Sequence, residues 1–215
     1  MLEEFQSMGK KLFEQGLIGP CGGTLSCRDG DKIIITKQGA ILSNLNFDDL
    51  AEVSFGEGKN PNASIDLPTH LSIYSACDIK VIIHATPIYA MAIAVHEEKI
   101  IPLDYYAKQF LKGIPVVRVR DPHSIEEINR FLVPLLKSCY PCSIVRGYGS
   151  FSIGKSFNEA YTYLLLAERS CKMINFSKKT DSSYGQRDDK SKQKTYRSAI
   201  PPSIGVMDRS YRRKR

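Results

Sequence analysis

Three β-branched residues in a row, Val81-Ile82-Ile83, lie between two stretches with helical signatures, and nothing else in the chain restricts its fold as tightly. A run that is apolar at every position suits a strand buried on both faces, and such a strand needs helices above and below it. Upstream, Leu67, Leu71, Tyr74 and Cys77 recur at helical spacing. Asp66 precedes them as a favourable N-cap, and Pro68 fits the first turn, where its missing N–H has no partner to lose. Downstream, Thr86-Pro87 reads as the N-cap and first position of an Ala-rich helix. His84 closes the strand run, at a junction where functional groups collect. His70 follows Asp66 by four residues and shares its helix face.

The flanks extend this pattern. Leu2, Phe5, Met8, Leu12 and Phe13 predict an amphipathic helix over residues 2–16. Residues 24–28 and 32–37 predict a hairpin around Asp29-Gly30-Asp31. A helical turn at residues 46–51 leads to a strand at 52–55. Beyond the central unit the pattern predicts a strand at 100–102, a helix at 104–111 and a strand at 115–119. Ser124-x-x-Glu127 is a capping box for a helix ending near Ser138. Strands at 142–146 and 151–153 follow, and a second box, Ser156-x-x-Glu159, opens a helix ending near Asn175. The expected fold is α/β in three layers: a central mixed sheet with helices on both faces.

Charge divides the chain. Residues 177–215 hold twelve Lys and Arg against four Asp, whereas residues 1–176 hold eighteen against nineteen Asp and Glu. The basic pI therefore says nothing about the folded part. Residues 1–176 are expected as one domain and residues 177–215 as a basic disordered tail, with tyrosines among its cations that suit nucleic acid or an anionic membrane surface. Six irregularly spaced cysteines in a chain of 215 do not suggest a disulfide scaffold. No apolar run is long enough to span a bilayer, and the acidic start lacks a signal-peptide core, so a cytoplasmic location is expected.

Each polar candidate has two readings. Asp66 reads as a plain N-cap or as a working acid, and His84 as a packed strand-end histidine or a functional one. His70 suits a packed helix position, and His96 and His123 suit the surface. Cys139 and Cys142 have redox-pair spacing, but a strand follows them where a reactive pair needs a helix N-terminus. Gly22, Gly23 and Gly39 serve either as turn glycines or, with Thr24, Ser26 and Ser64, as an anion pocket.

The order of motifs is informative as a whole. It runs G-G-T-L-S-C-R at 22–28, I-I-I-T-K-Q-G at 33–39, D-L-A-E-V at 49–53 and S-I-D-L-P-T-H at 64–70. V-I-I-H-A-T at 81–86, I-P-L-D-Y-Y at 101–106 and G-Y-G at 147–149 follow. Over residues 5–175 this series resembles the class II aldolase/adducin family, whose enzymes include fuculose-phosphate aldolase and ribulose-phosphate epimerase. The resemblance implies a mainly antiparallel mixed sheet and a homotetramer with sites between subunits. It also implies zinc on three histidines, an acidic residue that moves a proton, and a tyrosine supplied by the neighbouring subunit.

Carried over by position, His84 matches the first zinc histidine, while Thr86 and Tyr148 stand where the other two belong. Asp66 matches the acidic residue and Tyr106 the neighbour's tyrosine. For phosphate, the matching positions are Gly23, Thr24, Ser26, Arg28, Gly39 and Ser64. A threonine hydroxyl is a poor zinc ligand and a phenol a costly one, which leaves His84 and Asp66 as the ordinary ligands, so no cofactor is expected, with zinc at His84 as the alternative. Two functions fit: a small-anion-binding or assembly module with a degenerate zinc site, or an aldehyde-lyase or epimerase acting on a sugar phosphate through rearranged residues.

Overall fold

Ile82 and Ile83 point to opposite faces of one strand, and both are fully buried. The computed structural model describes residues 1–20, 22–56 and 58–184. Its strands are β1 (Thr24–Asp29), β2 (Lys32–Thr36), β3 (Leu50–Ser54), β4 (Val81–Ala85), β5 (Lys99–Ile100), β6 (Ile114–Val117), β7 (Cys142–Val145) and β8 (Gly149–Gly154). Its helices are α1 (Leu2–Glu14), α2 (Leu67–Ala76), α3 (Ile88–Ala94), α4 (Tyr105–Phe110), α5 (Ile125–Lys137) and α6 (Phe157–Tyr184).

The strands form one sheet in the order β3-β2-β1-β4-β8-β7-β6-β5. Only the β6–β7 pair is parallel, so the sheet is mixed and mainly antiparallel, as expected. On one face, Ile83, Ala85 and Ile144 pack with Phe5, Met8 and Leu12 of α1 and with Leu164, Ala167 and Cys171 of α6. On the other, Ile82, Val145, Phe151 and Ile153 pack with Ile73 and Tyr74 of α2 and with Ile128, Leu132 and Leu136 of α5. Truncating Ile82 or Ile83 to Ala would cost about 2–5 kcal/mol, because neither site can refill from solvent.

Several local expectations are corrected. Gly16, at φ 65, ends α1 through bonds from Gly16 N–H to Phe13 O and from Leu17 N–H to Leu12 O, and Phe13, off the face that carries Phe5, Met8 and Leu12, is exposed. Pro87, not Thr86, holds the N-cap position of α3, and no side chain of that position caps it. The Glu168 carboxylate of α6 caps it instead, accepting from Tyr89 N–H at 2.9 Å and Ala90 N–H at 2.7 Å. The two capping boxes are half formed: Ser124 and Ser156 accept from Glu127 and Glu159 N–H, while each glutamate accepts from residues upstream of its serine. Cys139 is exposed at φ 76, and Cys142 is buried at the head of β7.

Met1–Ser177 forms one compact unit. The helix α6 continues past the expected end at Asn175 to Tyr184. The remainder of the basic tail, with its expected nucleic-acid or membrane partner, lies outside the described residues. Among the described residues no helix is long and apolar enough to cross a membrane.

Candidate active site

The ends of β1 and β4 meet the start of α2. Thr24 pairs with His84 across the β1–β4 ladder, and His84 pairs with Phe151 of β8. His84 shares a sheet face with Ile82, the face that α2 covers, so its ring points at the first turn of α2. Asp66 occupies the N-cap position there but makes no capping bond. Its carboxylate turns to the sheet instead, so it does not act as a plain N-cap.

Three side chains converge on that carboxylate. Thr24 Oγ1 donates to Asp66 Oδ2 at 2.6 Å, and His84 Nδ1 meets the same oxygen at 2.8 Å. The Tyr148 hydroxyl donates to Oδ1. Asp66 N–H donates to Ser64 Oγ at 3.2 Å, and Ser64 Oγ stands 2.7 Å from Thr24 Oγ1. Because the Thr24 proton goes to Asp66, the Ser64 proton must go to Thr24. The result is a ring closed through Asp66 N–H, in which the Thr24 proton holds the carboxylate and the Ser64 proton holds Thr24. Burial pushes the Asp66 pKa up, but the His84 charge and hydrogen bond, with help from His70 and Thr24, hold it well below the usual carboxylate range.

The His84 ring stacks between Tyr148, with centroids 4.9 Å apart, and Phe151, at 4.5 Å. Its Nε2 is buried and has no hydrogen-bond partner among the described residues. Gly149 backs that atom: a Cβ there would stand 2.4 Å from Nε2, so only glycine fits. Burial and the Asp66 charge raise the Tyr148 pKa above that of a free phenol, so its proton stays on oxygen at neutral pH.

Behind the site runs a second buried chain. Tyr74 OH donates to Lys80 O at 3.3 Å, Ser26 Oγ lies 2.8 Å from that hydroxyl, and His70 Nδ1 lies 2.7 Å from Ser26 Oγ. With the Tyr74 proton on a carbonyl, Ser26 donates to Tyr74 and His70 donates from Nδ1 to Ser26. His70 Nε2 is left buried without a partner among the described residues. Burial pushes the His70 pKa down to about 4, with Asp66 opposing the shift and His84 adding to it.

A cavity of about 320 Å³ opens over this cluster. Gly22, Gly23, Thr24, Gly39, Ser64, Asp66, His84, Thr86 and Tyr148 line it, together with Lys37, Gln38, Ile41 and Ile65. The sequence-derived candidates thus largely converge, with three exceptions. Ser26 is fully buried in the second chain. Arg28 lies at the far end of β1, with its guanidinium 4.4 Å from the Phe55 ring and Nε bonded to Gly30 O. Tyr106, on α4, is 57% exposed, packs on Phe110 and is not part of the cavity wall of its own chain. Sequence reasoning missed Lys37, Gln38 and Phe151. Lys37 was readable as a charge set between a strand and a turn glycine, whereas Phe151 gave no signal beyond an apolar strand position.

No three His, Cys, Asp or Glu side chains group as a metal site among the described residues. The family model described as Class II Aldolase and Adducin N-terminal domain matches residues 3–174. The L-fuculose phosphate aldolase of Methanocaldococcus jannaschii is 28% identical over 176 residues, covering 80% of this chain and 93% of that protein. The enzyme of the same name from Methanococcus maripaludis is 30% identical over 153 residues, covering 70% and 82%. Among solved structures, L-fuculose-1-phosphate aldolase from Thermus thermophilus superposes with a TM-score of 0.80 at 26% identity, covering 85% of this chain and 96% of that one.

Proposed function

This chain belongs to the class II aldolase and adducin N-terminal domain family, and from that premise we propose that it acts on a small sugar phosphate as an aldehyde-lyase or epimerase through a rearranged site. The observation that carries this reading is one carboxylate, Asp66, shared by His84 and Tyr148 beneath a cavity rimmed by glycine turns. The relatives' names support the substrate class, since L-fuculose phosphate is a ketose phosphate.

The donor set does not fit zinc. Zinc takes imidazole nitrogen or thiolate in preference to neutral hydroxyls. Here His84 offers one nitrogen, the Asp66 carboxylate is already bonded by Thr24, His84 and Tyr148, Thr86 offers a hydroxyl, and the Tyr148 phenol gives its proton to Asp66. The proposed chemistry therefore rests on side chains alone. With Nδ1 tied to Asp66, His84 keeps a lone pair on Nε2 for use as a base, and Asp66 stabilises the imidazolium that forms. In cleavage, the base takes the proton of the C4 hydroxyl, and the C3–C4 bond electrons pass to the carbonyl. An aldehyde leaves, and the enediolate takes a proton at C3. Tyr148, whose proton goes to Asp66 Oδ1, holds that carboxylate against the His84 ring as the base charges.

The test is hydrogen–deuterium exchange on dihydroxyacetone phosphate in D2O, followed by proton NMR, with release of triose phosphate from L-fuculose 1-phosphate measured in parallel. Exchange or cleavage that falls at least a hundredfold in His84→Gln and in Asp66→Asn is the expected result. No exchange and no cleavage, with or without added zinc, would reject catalysis. The lack of zinc donors also favours the second reading, a module that binds a small anion or assembles without turnover. Ligand uptake without exchange would establish it.

A further inference from the structure

We propose that Lys37 is the residue that recognises the ligand's phosphate, acting with the backbone N–H groups of the glycine turns in place of loop hydroxyls and Arg28. The proposal rests on the sugar-phosphate reading and adds the anchor that reading lacks. Thr24 and Ser64 line the cavity, but their protons are committed to each other and to Asp66, so neither has one left for a phosphate oxygen. Ser26 is spent on His70 and Tyr74. Arg28 sits four residues beyond Thr24 on β1, roughly 13 Å away along an extended strand, and its guanidinium is engaged with Gly30 O and Tyr74 O.

Charge then decides the matter. The floor of the cavity carries the Asp66 carboxylate, which repels an incoming dianion unless an opposite charge lies close. Lys37 is the one Lys or Arg among the residues lining the cavity. Its ammonium makes no ion pair or hydrogen bond among the described residues. The β1–β2 register pairs Ser26 with Ile35, and continuing it past the end of β2 brings Lys37 alongside Thr24. Gly39, two residues on at φ 82, turns the backbone past the same cavity, and its N–H has no partner among the described residues. Gln38 spends its Oε1 on Ile65 N–H, which leaves its amide NH2 uncommitted. One cation and several neutral N–H donors around a small cavity suit a phosphomonoester dianion.

The experiment titrates full-length protein with inorganic phosphate and with dihydroxyacetone phosphate. Binding is read from the amide NMR signals of Gly22, Gly23 and Gly39, so that phosphate held elsewhere on the chain does not count. Lys37→Gln is expected to weaken both ligands by about tenfold to a hundredfold, and Lys37→Arg to stay within a few-fold of the parent. Binding by the parent should also weaken as pH falls through ~6, where a phosphomonoester loses its second charge. Folding is not at issue in these variants, because Lys37 holds its neighbours through backbone N–H to Asp49 O. Equal binding by the parent and Lys37→Gln would overturn the proposal and leave the sugar-phosphate reading intact. No binding of either ligand by the parent would overturn both.

Discussion

Acid should destabilise this protein before its carboxylates titrate, and His70 should be the cause. The imidazole is fully buried, donates from Nδ1 to Ser26, and has no hydrogen-bond partner for Nε2 among the described residues. Adding a proton at Nε2 would bury a charge and an unpaired N–H together. Burial accordingly lowers its pKa from 6.5 to about 4, against the pull of Asp66 and with the push of His84. The unfolded chain then binds more protons than the folded one between those values. The stabilisation is complete above ~6.5 and is lost as pH falls toward ~4, at roughly 1.4 kcal/mol per pH unit, or about 2 kcal/mol between pH 7 and pH 5. Asp66 has a depressed pKa and loses its own contribution only below the ordinary carboxylate value of 3.8, outside that window. Urea denaturation at pH 7, 6 and 5 and one protein concentration measures the fall. His70→Asn keeps an N–H donor for Ser26 but cannot take up a proton. It should be less stable at pH 7, yet lose about 2 kcal/mol less than the parent on going to pH 5. An equal fall in both proteins would refute the assignment.

Three further outcomes follow from the same geometry. Thr24→Val, nearly isosteric, removes a bond to a charged carboxylate and strands the Ser64 proton, so it should cost about 2–4 kcal/mol and lower Tm by about 5–15 °C; a loss under ~1 kcal/mol would show that the hydroxyl ring is not formed. Protein purified without added zinc should carry well under one equivalent by elemental analysis, and Thr86→His with Tyr148→His should raise zinc affinity at least tenfold; stoichiometric zinc that His84→Ala removes would contradict the donor-set argument. Light scattering at micromolar concentration should show a homotetramer, whereas a monomer would take Tyr106, exposed on α4, out of any active-site role.

The layers were legible because Val81-Ile82-Ile83 and the helical repeats around it carry the burial pattern in residue type alone. Asp66, His84 and Tyr148 were legible through the order of motifs, since each stands at a fixed place relative to a strand end or a turn glycine. What could not be read was where hydrogen-bond capacity is spent. Ser26 and Thr24 are two residues apart on one strand and looked equivalent as phosphate ligands. One strand register gives Ser26 to His70 and Tyr74, and Thr24 to Asp66 and Ser64. Arg28 was misjudged for a related reason, because proximity to a glycine loop in sequence does not survive four residues of extended chain. The cap on α3 was beyond any local rule, since Glu168 lies 78 residues from Ala90.

That distant cap has a consequence for the order of events as the chain leaves the ribosome. His84 and Thr86 emerge early, with the strand that carries them, but α3 behind them starts with Tyr89 and Ala90 N–H groups that Glu168 satisfies. Until α6 has been made, α3 has no cap at its start, although β4 before it can already pair with β1. A nascent chain stopped short of Glu168 should therefore carry every residue that lines the cavity with α3 still uncapped, and resistance of α3 to proteolysis should appear only once that glutamate has cleared the exit tunnel.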